Sequence, residues 1–191
     1  MTDTIAVPQQ EPLLKRISWI DLGPFIALVV LTVVGVLINP DFLSPTNVTN
    51  VLTRATFIGI IAIGATFVIS SGGLDLSVGA MTAFLAGIMI MFMNALVPSL
   101  GANAIIAGIG LVICVGALCG LFNGLIVTIG RIEPFIVTLG TMGIFRALIT
   151  FMSNGGTIPI DRSLREPFRP LYFGAILGIP IPIVICAIVA G

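Results

Sequence analysis

The 191-residue chain contains no histidine, so no histidine-based catalytic triad or histidine zinc site can be built from it. Charge is scarce as well. Only 8% of the residues are charged, where soluble domains carry about 25%. Three cysteines, Cys114, Cys119 and Cys186, all sit inside apolar runs. Their spacing matches no metal or redox motif, which leaves packing as their use. A cleavable secretory leader is not recognisable either, because residues 1–12 are polar and acidic rather than basic and then apolar. The first apolar run is expected to serve as its own uncleaved insertion signal.

What the chain does contain is apolar surface. Hydrophobic residues make up 58% of it, and the mean hydropathy is +1.22. Such a composition cannot cover a soluble surface, and several runs are long enough to cross a bilayer. The fold class that follows is all-α: a polytopic transmembrane helical bundle with the lipid bilayer as its surroundings. Residues 1–20 read as a cytoplasmic tail and interface segment, in which Lys15 and Arg16 suit headgroups and Trp19 suits the aromatic belt. The transmembrane domain is expected over 21–191, with Asp21 as first cap. Its spans are expected near 22–38, 55–70, 78–97, 104–129, 134–152 and from 173 onward. A short surface helix is expected over 47–53, a polar loop over 153–172, and a kink or delay at Pro180 and Pro182. The final apolar run reaches Gly191 with no polar flank, so the transmembrane domain is read as incomplete at that end: a fragment or a truncated gene product. Basic flanks divide three against four, with Lys15, Arg16 and Arg131 on one side and Arg54, Arg162, Arg165 and Arg169 on the other, which does not decide the orientation. Orientation then rests on the first span, which places the N-terminus inside and the 153–172 loop outside.

One stretch stands apart. Asp75 is the only charged side chain between Arg54 and Arg131, and a carboxylate set among lipid-facing segments is expensive unless it serves a function. Gly72 and Gly73 precede it and can end a helix in left-handed geometry. Asp75 or Ser77 can cap the next helix, whose positive end favours the carboxylate. A capped turn and a transport site are both compatible with this pattern. The 55–70 span is also short: sixteen residues rise about 24 Å against a core of roughly 30 Å, which would set the Gly-Gly break inside the membrane. In the fourth span Gly116, Gly120 and Gly124 form a stripe of small residues that lets helices pack closely, with Asn123 beside it able to bond across helices. In the fifth, Arg146 either snorkels to the interface or faces the bundle and pairs with a carboxylate, of which Asp75 is the one deep candidate.

The segment Gly72-Gly73-Leu74-Asp75-Leu76-Ser77-Val78-Gly79 resembles the signature of ribose-type sugar permeases, the membrane subunits of bacterial ATP-binding-cassette importers. Further stretches resemble the same family in the same order: Phe42-Leu43-Ser44, Asn123-Gly124, Pro134-Phe135-Ile136-Val137-Thr138-Leu139-Gly140-Thr141-Met142 with Arg146 after it, Gly155-Gly156-Thr157, and Gly178-Ile179-Pro180. Glu133 departs from the pattern, as does the length: the family runs to about ten spans and this chain holds about six. The resemblance implies a multi-pass permease of the bacterial inner membrane that moves a pentose, hexose or related carbohydrate. Permeases of autoinducer and branched-chain amino-acid importers are similar. It implies no enzyme activity in this chain and no cofactor. Its partners would be a second permease copy in a homodimer or heterodimer, a separate ATP-binding subunit that hydrolyses ATP, and a periplasmic sugar-binding protein; no nucleic acid is expected. A secondary transporter or channel with Asp75 as ion or proton site, and a non-functional fragment, are the alternatives the residues leave open.

Overall fold

Within hydrocarbon every backbone polar group needs an internal partner, so long apolar runs become helices. The structure, a computed structural model, describes residues 22–191. The expected tail 1–20 and the Asp21 cap lie outside them. In chain order come α1 (Gly23–Ile38), a 3-10 turn (Pro40–Leu43), α2 (Pro45–Ser70), α3 (Val78–Leu100), a second 3-10 turn (Gly101–Asn103), α4 (Ala104–Thr128), α5 (Pro134–Met152) and α6 (Arg162–Phe173). A minimal antiparallel hairpin pairs β1 (Ala175–Ile176) with β2 (Ile179–Pro180), and α7 (Ile181–Ala190) follows.

Three stretches are long and apolar enough to cross a membrane: Pro45–Ser70, Val78–Thr128 and Pro134–Met152. The second is α3 and α4 joined through the Gly101–Asn103 turn. Two shorter apolar helices are α1 and α7. Little of these surfaces is covered: 11% of the α2 window and 22% of the α5 window are buried. Large side chains such as Phe25, Leu28, Ile58, Phe67 and Phe151 stand exposed. Water would not tolerate that surface, whereas lipid and neighbouring helices do.

Four expectations change. The short helix at 47–53 and the span at 55–70 are one continuous α2. Its 26 residues rise about 39 Å, more than the roughly 30 Å core, so shortness no longer argues for a break within the membrane. α3 runs through Pro98 to Leu100, and the polar break after it shrinks to one 3-10 turn. The loop at 153–172 holds α6, started by Asp161, whose carboxylate accepts from the Ser163 N–H. The last span begins only at Ile181, because Leu177 and Gly178 turn the chain at φ of 53° and 82°.

The chain divides into two compact units, one ending at Val51 and the other running Leu52–Gly191. In the first, the Phe42 ring lies where a side chain on Gly35 would stand, and Asn47 Nδ2 donates to the Phe42 carbonyl (2.7 Å). In the second, α3 is the central helix and packs on both α4 and α5. Its buried cluster is Met93, Ala104, Ile105 and Leu164, which ties α6 to the α3–α4 turn. Asn94 adds a polar clamp: its Nδ2 donates to the Pro159 carbonyl (2.9 Å), and its Oδ1 accepts from the Asp161 N–H (2.8 Å).

Candidate functional site

The α2–α3 connection begins where α2 can no longer continue. Gly72 takes φ of 82°, a left-handed geometry that suits glycine. The Gly73 N–H reaches the Val68 carbonyl (3.0 Å) and the Gly72 N–H the Ile69 carbonyl (2.9 Å). This is the paired closure of a helix C-terminus. A side chain on Gly73 would crowd Val68 Cγ1 at 3.3 Å and only touch Pro134 Cβ of α5 at 3.8 Å.

Asp75 then organises the entry to α3. Its Oδ1 accepts from the Ser77 N–H (2.7 Å) and from the Ser77 hydroxyl (2.6 Å). Ser77 stands at the N-cap position and makes no side-chain cap bond to the helix, because its hydroxyl turns back to Asp75. The positive end of α3 favours the carboxylate by about 0.3–1 kcal/mol. Asn123 comes in from α4, and its Nδ2 donates to Ser77 Oγ (3.1 Å). Both Ser77 and Asn123 are buried. The result is a directed chain, Asn123 to Ser77 to Asp75. Asn123 Oδ1 is buried and has no partner among the described residues.

A further residue, not singled out from the sequence, closes the arrangement. The buried Thr138 hydroxyl on α5 faces the Leu74 carbonyl (3.2 Å) as well as the Pro134 carbonyl of its own helix (2.9 Å). A threonine in the first turns of an apolar helix was the available signal. Ser71, Gly72, Gly73, Asp75, Asn123 and Thr138 all line one cleft of about 420 Å³, together with Gly120 and Gly124.

The remaining candidates sit elsewhere or differently. Gly116 packs on α3, where an added Cβ would be 3.3 Å from Leu85 Cδ1; Gly120 and Gly124 have nothing within 4 Å of that position. Arg146 is exposed on α5 and lines a separate groove of about 340 Å³ with Gly79, Ala80 and Ala83. Among the described residues the one ion pair is Arg169 with Glu166 (3.8 Å), so Arg146 and Asp75 are not joined.

Comparison with known proteins agrees with this picture. Residues 47–190 match the family described as branched-chain amino acid transport system / permease component. The chain is 40% identical over 162 residues to the ribose import permease protein of Bacillus subtilis, covering 84% of this chain and 48% of that relative. It is 30% identical over 183 residues to the D-allose transport system permease protein of Escherichia coli, covering 95% and 54%. To the L-arabinose ABC transporter permease protein of Azospirillum brasilense it is 34% identical over 147 residues, covering 75% and 40%. The chain thus spans about half the length of the curated relatives it matches. No solved structure matches it significantly. The matched residues include the α2–α3 break, the Asn123 region and α5, and the chain is therefore a multi-pass membrane protein belonging to the branched-chain amino acid transport system / permease component family, among relatives named for sugar import.

Proposed function

We propose that this chain acts as the membrane-spanning permease of an ATP-binding-cassette importer and passes a pentose, hexose or related carbohydrate across the bacterial inner membrane. The observation that carries this reading is the 40% identity to a ribose import permease over 84% of the chain. In this reading two permease copies enclose the pathway, a separate ATP-binding subunit hydrolyses ATP, and a periplasmic sugar-binding protein delivers the cargo. The permease itself makes and breaks no covalent bond. With the N-terminus in the cytoplasm, the Gly72–Gly73 break opens near the inner surface and α6 lies on the periplasmic side.

The arrangement around Asp75 suits such a role. Its carboxylate is held by neutral donors at the start of a helix, which places polar groups in a largely apolar cleft where α2, α3, α4 and α5 meet. Broken helices at such junctions are tolerated where they line a cavity. The test is reconstitution of the permease with its ATP-binding subunit and binding protein in liposomes. One sugar of a panel, or a few related ones, should stimulate ATP hydrolysis and accumulate inside. Uptake that collapses with an uncoupler while ATP is held constant would replace this reading with an ion-coupled transporter centred on Asp75.

A further inference from the structure

We propose that the cleft at the Gly72–Gly73 break is a low-affinity subsite that accepts hydrogen bonds from the hydroxyl groups of the passing sugar. The inference rests on the transport reading above and adds to it the residues and the polarity of one waypoint.

The polarity follows from the direction of the hydrogen bonds. The Ser77 hydroxyl has one proton, and a carboxylate oxygen at 2.6 Å takes it. Ser77 Oγ can then only accept from Asn123, so Asn123 must turn its amide nitrogen toward Ser77 and its carbonyl oxygen away. That oxygen, Oδ1, is the unpartnered acceptor. An unmet buried acceptor is costly, and a donor that reached it would recover that cost. Asp75 spends one carboxylate oxygen on Ser77 and keeps the other without a hydrogen-bond donor among the described residues. Two acceptors looking for donors fit a polyol. A carboxylate with no cationic side chain in the lining among the described residues rejects an anion.

The walls fit the same ligand class. The volume of about 420 Å³ lies within the roughly 300–1,000 Å³ of small-molecule sites. Gly72, Gly120 and Gly124 leave open space where a Cβ would project, and Val68, Leu74 and Val127 offer apolar surface to the C–H faces of a sugar. Among the described residues no aromatic ring lines the cleft, so they offer none of the stacking that makes a tight site. A passage needs that weakness, because a ligand held firmly would not leave. Asn123 Oδ1 is enclosed as the cleft stands, so the subsite requires the Gly120–Gly124 face of α4 to shift before a hydroxyl can reach it. Nothing is packed within 4 Å of where side chains would stand on that face.

The test is a labelling experiment on the assembled transporter in proteoliposomes. Cys114, Cys119 and Cys186 are replaced by alanine and Gly124→Cys is introduced, with Gly120→Cys as the second probe of the same cleft should the first fail to assemble. A small methanethiosulfonate reagent should modify the new thiol. The sugar that the same vesicles accumulate should slow that reaction several-fold at tens of millimolar, while a sugar they do not carry and sodium chloride should leave it unchanged. An unchanged rate in the presence of an accumulated sugar overturns the subsite and leaves the transport reading standing. Protection by sodium alone turns the cleft into a cation site, and a thiol that never reacts shows that no ligand enters it; both overturn the proposal. Vesicles carrying the unsubstituted transporter that accumulate no sugar at all overturn the transport reading and the subsite with it.

Discussion

Gly108 on α4 is where this fold should feel a single added methyl group most. A Cβ there would stand 2.5 Å from Met93 Cγ, 3.0 Å from Met93 Sδ and 3.4 Å from Met89 Cγ. Met93 is fully buried and shares its cluster with Ala104, Ile105 and Leu164, so it has no open space to swing into. The nearest atom, Cγ, also sits close to the backbone and cannot move as freely as the methyl tip. Gly108→Ala should gain about 0.5–1 kcal/mol from reduced backbone freedom and lose about 1–3 kcal/mol to overpacking. The net is a loss of about 1–2 kcal/mol. Gly110→Ala, two residues along the same helix, meets nothing within 4 Å and keeps only the gain. The pair should therefore differ by about 2 kcal/mol, read as reversible unfolding in mixed micelles of mild detergent and dodecyl sulfate. Combining Gly108→Ala with Met93→Ala should destabilise less than the two single losses added together, because the methyl enters the space the methionine vacates. Gly108→Ala proteins as stable as Gly110→Ala proteins, or strict additivity in the double variant, would refute the packing argument.

Three further outcomes follow from the polar contacts. Asp75→Asn keeps an acceptor for Ser77 and should retain folding and much of the transport, whereas Asp75→Leu leaves the Ser77 N–H unpaired at about 1–3 kcal/mol and should lose both; full loss of uptake in a normally expressed Asn variant would mean the charge itself is required. The Ser163 hydroxyl, then the Ser163 N–H, holds the Asp161 carboxyl below its ordinary value, so the start of α6 is stabilised above the usual carboxylate pKa and loses that support as pH falls through the lowered one. Protection factors at residues 162–165, corrected for the intrinsic exchange rate at each pH, should fall below about pH 4 in the native chain and stay flat in Asp161→Asn, and equal protection of the native chain above and below that pH would contradict this. If a periplasmic binding protein docks on the arginines of α6, replacing Arg162 and Arg165 by glutamate should weaken its stimulation of ATPase activity, more at low salt, and a cysteine at Ser163 should react with an impermeant reagent in intact cells; labelling only after permeabilisation would reverse the topology and remove that docking surface.

The long helices were legible because an apolar run in lipid has few other options. Their ends were less so. Val48, Val51 and Leu52 stand at helical spacing within Asn47 to Arg54, yet no breaker divides that segment from the next run, and the helix begun at Pro45 simply continues through it. Pro167 and Pro170 argued against α6, but the Asp161 cap and the buried Leu164 hold it. The hairpin at 175–180 was hidden because its turn places Leu177, not asparagine or aspartate, at positive φ. At the site, Asp75 announced itself by its isolation. Its partners did not: Asn123 reaches Ser77 across 46 residues, and Thr138 reaches Leu74 across 64. Such separations are set by how α3 packs between α4 and α5, which no local pattern encodes. The same holds for Arg146, whose possible pairing with Asp75 was a matter of which face of α5 meets α3.

The Asn94 clamp has a mechanical meaning. One amide grips the chain on both sides of Ile160, mimicking the way a neighbouring strand would hold it. α6 is thereby fastened to the far part of α3, while the near end of the same helix carries Ser77 and meets Asp75. The 23 residues of α3 form a stiff rod about 35 Å long. A push delivered to α6 on one face of the membrane is handed to a lever whose other end stands at the cleft.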